Sequence, residues 1–213
     1  MSVELLAPAG SIESFYAAVN SGADSVYLGG KFFNARHNSI NFDNEEMKSI
    51  IKYAHNKGVK VYVPMNTVLK DTEIIDALNY AIFLYENDAD AVIVQDLGLL
   101  YLINKYLPDF PVSISTQAAV YDEYGVKFFE DFNVGKVIMA RELSLQQLKE
   151  AVKNTNTDLE VFIHGALCMC YSGQCYMSSF LGGRSGNRGK CAQPCRLNYS
   201  FYDVEQNQEV EDF

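Results

Sequence analysis

Short apolar runs alternate with amphipathic helical patterns along most of the chain, and this alternation limits the fold more than any other feature. Strands that are each followed by a helix form parallel sheets covered by helices. The runs begin about 26 residues apart, and eight such units approach the ~250 residues typical of a TIM barrel. Seven runs are predicted to be strands, beginning at Glu4, Ser25, Lys60, Ala91, Val112, Lys136 and Glu160.

The predicted fold is therefore α/β, a TIM-barrel-like (β/α) parallel barrel, and a doubly wound open sheet is the alternative. The barrel is expected to be incomplete, with about seven strand–helix units in residues 1–165 and a cysteine- and glycine-rich segment in 166–213. After Arg196, LNYSFYDV alternates like a strand and EQNQE is typical of a turn. Neither forms another strand–helix unit, so the chain is expected to be truncated or to close its barrel by other means.

Capping patterns predict where several helices begin. Ser11 is expected to start the first helix, and Asp43 with Glu46 forms a capping box for the second. Ser144 with Gln147 forms another capping box before the last helix of the barrel units. Asp71 or Thr72 is expected to cap the helix that follows the third strand.

Composition places the chain among globular proteins, with 48% hydrophobic residues and 21% charged residues. The sequence shows neither a signal peptide nor an apolar run long enough to span a bilayer. A cytoplasmic, reducing location without membrane contact or structural disulfides is expected. The formal charge of −10 argues against a general nucleic-acid binder. Residues 161–202, however, contain four basic residues and no acidic one, which fits either a local site for an anion or solvated basic residues of an ordinary loop.

Polar residues follow the predicted strands, where the carboxyl ends of barrel strands converge on the face that holds active sites. Polar side chains also begin many ordinary loops, so no single residue is decisive. Adjacent Arg141 and Glu142 are costly to bury without a purpose. The predicted catalytic or substrate-binding residues are Asn66, Asp96, Gln117, Arg141, Glu142 and His164.

All five cysteines lie within residues 168–195, and their spacing leaves three interpretations open. Cys191 and Cys195 suit structural zinc, whereas the pairing of Cys168 with Cys170 or Cys175 suits it poorly. An iron–sulfur cluster takes four thiolates at wider spacing, and nearby glycines allow close approach of the backbone. Free or nucleophilic cysteines are the third interpretation, with Cys168 beside His164.

The cysteine-rich stretch also carries a resemblance to a known family. Glu160-x-Phe162-x-x-Gly165-Ala166-Leu167-Cys168 followed by Gly173-x-Cys175-x-Met177-Ser178 agrees with the signature of the U32 peptidases, the collagenase-like proteases. ELLAPAG at 4–10, YLGG at 27–30 and FNAR at 33–36 are similar to that family as well. The resemblance implies a TIM-barrel-like domain and a [4Fe–4S] cluster, as in relatives that take part in hydroxylation of tRNA, ribosomal RNA or ubiquinone precursors. The implied cluster ligands are Cys168, Cys175, Cys191 and Cys195, with Cys170 as the spare.

Three functions follow. The first is an iron–sulfur enzyme of RNA base hydroxylation, acting on tRNA in particular or on a small-molecule substrate, with Arg and Lys of the basic segment contacting phosphate. The second is a metal-dependent, collagenase-like peptidase, for which zinc is the alternative metal. The sequence has no metalloprotease helix motif and no Ser-His-Asp element, so Cys168 with His164, and Glu142 or Asp96 as acid or base, would have to serve. The third is a non-catalytic scaffold that needs its cluster to fold. The sequence leaves open whether the protein binds a protein partner or forms a homo-oligomer.

Overall fold

A computed structural model describes residues 3–35 and 40–210, so residues 36–39 of the FNAR loop lie outside the described part. Strands and helices alternate as the sequence predicts. The strands are β1 Leu6–Pro8, β2 Ser25–Tyr27, β3 Lys60–Met65, β4 Ala91–Val94, β5 Val112–Ile114, β6 Lys136–Ile138 and β7 Asp158–Glu160. The helices between them are α1 Ile12–Asn20, α2 Asn44–Asn56, α3 Ile74–Glu86, α4 Leu97–Tyr106, α5 Glu123–Glu130 and α6 Leu145–Asn154.

The seven strands form one parallel sheet in the order β1-β2-β3-β4-β5-β6-β7. This sequential order is that of a (β/α) barrel. A doubly wound sheet would reverse its strand order at a switch point, so the open-sheet alternative is wrong.

Alternation along each strand separates two apolar layers, because successive side chains of a strand point to opposite faces. One face packs against the helices in the main core, which includes Val26, Val63, Val92 and Val137. The other face lines the concave side of the sheet with a smaller cluster. That cluster consists of Tyr62, Ala91, Ile93 and Ile138, with Leu6 and Tyr27 packed against it.

A charged contact shows how strongly the sheet curls. Lys136 begins β6, yet its Nζ lies 3.2 Å from Oε1 of Glu4, which precedes β1. In a flat sheet with strands ~4.8 Å apart, five intervals would separate β1 from β6 by about 24 Å. The sheet is therefore a curled, barrel-like one, and the TIM-barrel-like prediction is confirmed.

Lys136 is the centre of this charge cluster, whose members lie toward the amino-terminal ends of β1, β2, β3 and β6, together with Glu160, the last residue of β7. Its Nζ is 3.5 Å from Oε2 of Glu160 and 4.6 Å from the ring centre of Tyr62. That separation from Glu160 makes an ion pair but no hydrogen bond, and the buried Oε2 has no hydrogen-bond partner among the described residues. Ser25 donates to Glu4 at 2.8 Å. We call Glu4, Ser25, Tyr62, Lys136 and Glu160 the basal cluster.

The basal cluster shifts the pKa values of its two carboxyl groups in opposite directions. Burial tends to raise the pKa of Glu4, but hydrogen bonds from Ser25 and Tyr62 and the charge of Lys136 outweigh it and lower this pKa to about 2. Burial raises the pKa of Glu160 above its usual value, although Lys136 opposes the rise. Burial and the hydrogen bond to Glu4 raise the pKa of Tyr62. The basal cluster therefore holds Glu4 ionised while it disfavours the charge of Glu160.

Two predicted strand starts are wrong. The last barrel strand was expected to begin at Glu160, but β7 begins at Asp158 and ends at Glu160, and residues 161–163 are exposed and outside any strand. β7 pairs with β6 only as far as Ile138 opposite Glu160, so the chain beyond has no neighbouring backbone to pair with. The first strand was expected at Glu4–Ala7 and is found at Leu6–Pro8, because Leu6 is the first residue paired with β2.

The predicted caps are correct for three helices and wrong for one. Ser11 caps α1, and the boxes Asp43–Glu46 and Ser144–Gln147 begin α2 and α6. Helix α3 is preceded by Glu73 and has no side-chain cap, so neither Asp71 nor Thr72 serves. The Glu73 carboxylate instead accepts from the backbone N–H of Lys70 at 2.8 Å and closes a turn there.

The chain after β7 contains no further strand–helix unit within the described residues. It forms α7 Met177–Gly182, 3-10 turns at Gly186–Arg188 and Pro194–Arg196, and an antiparallel hairpin of β8 Phe201–Asp203 and β9 Gln208–Val210. β8 covers only Phe201–Asp203 of the predicted strand 197–204, and the predicted turn 205–209 contains the hairpin turn and the start of β9. Among the described residues, every helix is too short or too polar to cross a membrane.

Candidate functional site at the carboxyl ends of the strands

Arg141 and Glu142 follow β6 and hold a buried serine of the cysteine-rich region. The Glu142 carboxylate accepts from the backbone N–H of Ser172 at 2.7 Å and from its hydroxyl at 3.0 Å. Arg141 donates through Nε to the same hydroxyl at 3.1 Å. Ser172 is fully buried. The two side chains therefore fasten the cysteine-rich chain to the barrel, and we call residues 166–196 the cysteine segment.

Gly173 brings the cysteine segment into direct backbone contact with the end of β5. Its φ is +73°, and a methyl group placed on it would lie 2.0 Å from the carbonyl oxygen of Gln117. That carbonyl also accepts from Nε2 of Gln95 at 3.2 Å. Only glycine suits both this close approach and this backbone conformation. Oε1 of Gln95 is buried without a hydrogen-bond partner in the described chain, which leaves one free acceptor beneath the contact.

Asn66 and Asp96 lie at the ends of β3 and β4, but they support loops. Oδ1 of Asn66 accepts from the backbone N–H of Ala35 at 2.9 Å, and its Nδ2 donates to Ser115 at 3.3 Å. Asp96 caps α4 by accepting from the N–H of Leu99 at 3.0 Å, and its other oxygen accepts from the N–H of Leu69 at 3.1 Å. Both side chains are thus engaged with the protein in this arrangement.

Arg188 makes a second attachment between the cysteine segment and the barrel. Its guanidinium donates to both carboxylate oxygens of Glu73, at 2.9 and 2.7 Å, and to the carbonyl of Val68 at 2.8 Å. The backbone N–H of Val68 donates in turn to the carbonyl of Asn187 at 3.1 Å. The hydrogen bond from Arg188 lowers the pKa of Glu73 to about 2. Two-pronged geometry of this kind fixes direction as well as distance.

His164 and Cys168 lie beyond the end of β7, and both are exposed. Among the described contacts, no hydrogen bond joins them. Ser172 offers a hydroxyl next to a carboxylate, but its burial and its hydrogen bonds keep that oxygen from a substrate. The described residues therefore present no assembled nucleophile and base for hydrolysis.

The cysteine segment brings the four predicted cluster ligands onto backbone stretches that contact one another. A methyl group placed on Gly186 would lie 3.6 Å from Cβ of Cys191 and 3.9 Å from the carbonyl oxygen of Cys175. Arg196, next to Cys195, donates to the carbonyl of Leu167, next to Cys168. Cys170 is partly buried and lies two residues before Ser172. Cys175 and Cys191 thus lie on neighbouring stretches of backbone, and the Arg196 side chain links the stretches that carry Cys168 and Cys195.

Comparison with known proteins decides the family. The sequence profile of peptidase family U32 matches residues 10–212. The chain belongs to this family. The Escherichia coli 23S rRNA 5-hydroxycytidine C2501 synthase is 41% identical over 201 residues, which cover 94% of this chain and 30% of that protein. The Bacillus subtilis tRNA hydroxylation protein P1 is 35% identical over 95% of this chain and 48% of its own length. A Porphyromonas gingivalis collagenase is 34% identical over 98% of this chain and 52% of its own length.

The U32 chain thus spans between about a third and a half of the length of these curated relatives. Among solved structures, the U32 peptidase Mk0906 superimposes with a TM-score of 0.64 at 16% identity, over 75% of this chain and 68% of that one. At this identity the superposition shows a shared fold only, and that fold contains the curled parallel sheet described above.

The donors of the U32 chain fit an iron–sulfur cluster in their chemistry. All five cysteines are free, and four lie on segments in contact. No three His, Cys, Asp or Glu side chains of the described residues are grouped so as to hold a metal ion. A four-iron cluster is larger than one ion and takes its four thiolates from around its surface. The side chains as they stand do not enclose an ion.

Sequence reasoning missed the residues that attach the cysteine segment. Ser172, Tyr121 and the pair Arg188–Glu73 were not singled out, although they join parts of the chain that are far apart in sequence. The Tyr121 hydroxyl donates to the carbonyl of Ser172 at 3.3 Å. Gly173 was visible as a fixed position of the family signature, and its contact with Gln117 gives that position a physical reason.

Proposed function

We propose that the chain is the barrel portion of an iron–sulfur enzyme that takes part in hydroxylation of an RNA base, with tRNA as the first candidate and ribosomal RNA as the second. Two relatives with RNA-hydroxylation names match over more than nine-tenths of this chain. The observation that carries the proposal is the double attachment of the cysteine segment, through Ser172 and through Arg188, at the face where barrel enzymes have their active sites. A cytoplasmic location agrees with this substrate.

Cys168, Cys175, Cys191 and Cys195 would hold a [4Fe–4S] cluster, with zinc as the alternative metal. Such a cluster supplies one-electron redox chemistry when it is bound. The residues of the chain itself position it. Glu142 and Arg141 fix Ser172 between Cys170 and Cys175, and Glu73 fixes Arg188 three residues before Cys191. The Gly173 contact closes the cysteine segment against the sheet.

Nucleoside analysis of cellular RNA tests this proposal. RNA from cells that lack the gene, digested and examined by mass spectrometry, should lack one hydroxylated nucleoside that wild-type RNA contains. Expression of the wild-type or the Cys170→Ala protein should restore it, and the Cys175→Ala protein should not. If every hydroxylated nucleoside persists in the RNA of the deletion strain, the proposal is wrong.

A peptidase is the second candidate, because the family bears that name and a relative is called a collagenase. The same purified protein can be incubated with gelatin and casein, with and without a metal chelator. Chelator-sensitive cleavage that disappears in Cys168→Ala would favour the peptidase. If gelatin and casein stay intact and a hydroxylated nucleoside depends on the gene, the peptidase is excluded.

A further inference from the structure

The outer part of the cysteine segment is a small unit built round Ser178 of α7. This serine is buried, and its hydroxyl accepts from the backbone N–H of Ala192 at 2.9 Å. Its carbonyl accepts from the N–H of Arg184 at 3.2 Å, which turns the chain sharply after α7. Helix α7 also packs against the 3-10 turn at Pro194–Arg196. One side of α7 is therefore fixed inward, and the rest of it faces solvent.

Aromatic rings are exposed on and next to α7. Phe180 is 91% exposed and Tyr176 is 63% exposed. Leu181, beside Phe180, is exposed as well. A single exposed apolar side chain is ordinary, but an apolar patch rimmed by polar residues marks an interaction site, and here these three large apolar side chains are exposed within residues 176–181.

Two exposed basic residues follow these rings closely along the chain. Arg184 follows α7 and Lys190 follows the 3-10 turn at Gly186–Arg188, and both are exposed. Neither forms an ion pair with a described residue, whereas Arg188 is bound to Glu73 and Arg196 to a backbone carbonyl. Residues 161–202 contain no carboxylate side chain at all. The surface thus combines unpaired positive charge with open aromatic faces.

We propose that this surface binds a single-stranded RNA segment, with Phe180 and Tyr176 stacking on bases and Arg184 and Lys190 contacting phosphates. Sequence-tolerant binding of single strands uses this combination, because every base has a stackable face and the backbone is uniformly anionic. The choice of RNA as the polyanion rests on the proposed function. The acidic remainder of a chain of net charge −10 repels RNA elsewhere and restricts it to this surface.

Charge complementarity separates this occupant from a protein partner. A second copy of the chain would bring a strongly acidic body and could neutralise Arg184 and Lys190, but it would need only apolar contact at Phe180. RNA needs a flat aromatic face there. The substitution Phe180→Leu keeps an exposed apolar side chain and removes the ring, so it distinguishes stacking from apolar packing.

Fluorescence anisotropy with a labelled, unstructured RNA of about 12 nucleotides, within the site sizes of single-strand binders, measures the effect. The full chain is purified anaerobically, and each variant is checked by circular dichroism and thermal melting. Phe180→Ala and Phe180→Leu should each weaken binding about 5-fold to 100-fold, the range expected for one lost base stack. Phe180→Trp should retain it.

The salt dependence of binding tests the two basic residues. For single strands, log K changes by about 0.7 per phosphate contact for each unit of log salt concentration. The double substitution of Arg184 and Lys190 by Ala should therefore make the slope about 1.4 less negative. Tyr124→Ala and Lys149→Ala, exposed residues of α5 and α6, are matched controls and should leave affinity and slope unchanged.

Three results would overturn the RNA surface. The first is an RNA affinity that is the same in wild type, in Phe180→Ala and in the double variant. Retention of affinity by Phe180→Leu would exclude stacking. A concentration-dependent dimer that Phe180→Ala abolishes would assign the surface to a second copy. The nucleoside analysis distinguishes the two proposals. If a hydroxylated nucleoside depends on the gene but the variants bind RNA as wild type does, only the RNA surface is wrong. If RNA binding depends on Phe180 but no hydroxylated nucleoside depends on the gene, only the hydroxylation proposal is wrong.

Discussion

The two ends of the barrel use charged side chains in different ways. At the amino-terminal ends of the strands, the basal cluster joins β1, β2, β3, β6 and β7 to one another, and Lys136 and Glu160 are only 17% and 18% exposed. At the carboxyl-terminal ends, Glu142 and Glu73 join the sheet to the cysteine segment. One end thus joins the strands of the sheet to one another and the other holds the cysteine segment, which agrees with the general division in barrels between a stabilising face and a functional face.

The largest expected effect is at Lys136. The substitution Lys136→Met leaves Glu4 and Glu160 close together without their shared cation, and breaking a buried pair in this way costs about 3 kcal/mol or more. Urea unfolding at pH 7 measures the loss. The control Lys153→Met removes only an exposed pair with Glu150 and should cost less than about 0.5 kcal/mol. If both variants lose the same unfolding free energy, the basal cluster stabilises the protein no more than a surface ion pair does.

Gly173→Ala should detach the cysteine segment at the opposite end. The added methyl group would clash with the backbone of Gln117, and a strained backbone at this φ costs on the order of 2 kcal/mol. Limited trypsin digestion should then cut after Arg184 and Lys190 sooner than in wild type, while the far-ultraviolet circular dichroism stays unchanged. Gly182→Ala, which meets no atom within 4 Å, is the control. Digestion of Gly173→Ala at the wild-type rate would show that the contact does not hold the segment.

Acid titration should separate Glu4 from Glu160, the other carboxylate of the basal cluster. Because hydrogen bonds and Lys136 lower its pKa from 4.5 to about 2, Glu4 contributes stability that is present above pH 4.5 and is lost as the pH falls toward 2. Allowing for screening by solvent, Glu4→Gln should cost about 1 kcal/mol at pH 6.

The difference between wild type and Glu4→Gln should vanish near pH 2. Glu160 has a raised pKa, so its contribution has the opposite sign: it is present at low pH and lost as the pH rises. Denaturant midpoints measured between pH 2 and 6 check both. Parallel curves for wild type and Glu4→Gln would contradict the assignment.

Arg188→Lys should produce the smallest effect. Lysine keeps the charge but cannot donate to both oxygens of Glu73, so the stability loss should stay below about 1 kcal/mol at this half-exposed site. Hydrogen exchange near Val68 and Asn187 should rise, because their backbone hydrogen bond loses its support. Unchanged exchange there would show that the second attachment depends on backbone contacts alone.

Local patterns were enough to predict the fold but not the attachments. The alternation of apolar runs gave seven parallel strands, and Ser11, Asp43 and Ser144 cap the helices that they were expected to cap. The end of β7 could not be predicted, since it depends on where its neighbour β6 stops. Asp71 or Thr72 was expected to cap α3, but the helix begins after Glu73, whose carboxylate binds Arg188, a residue distant in sequence.

The candidate site shows the same limit. Arg141 and Glu142 were correctly expected at the carboxyl ends of the strands, yet their partner Ser172 is visible only in three dimensions. Their roles in catalysis, and those of Asn66, Asp96, Gln117 and His164, stay predictions.

Iron and acid-labile sulfide analysis of the anaerobically purified chain tests the central claim most directly. Wild type and Cys170→Ala should each contain about four irons and four sulfides per chain, as a [4Fe–4S] cluster requires. Single alanine substitutions of Cys168, Cys175, Cys191 and Cys195 should each lower both contents sharply. One equivalent of zinc without sulfide, or full iron content in Cys175→Ala, would contradict the account.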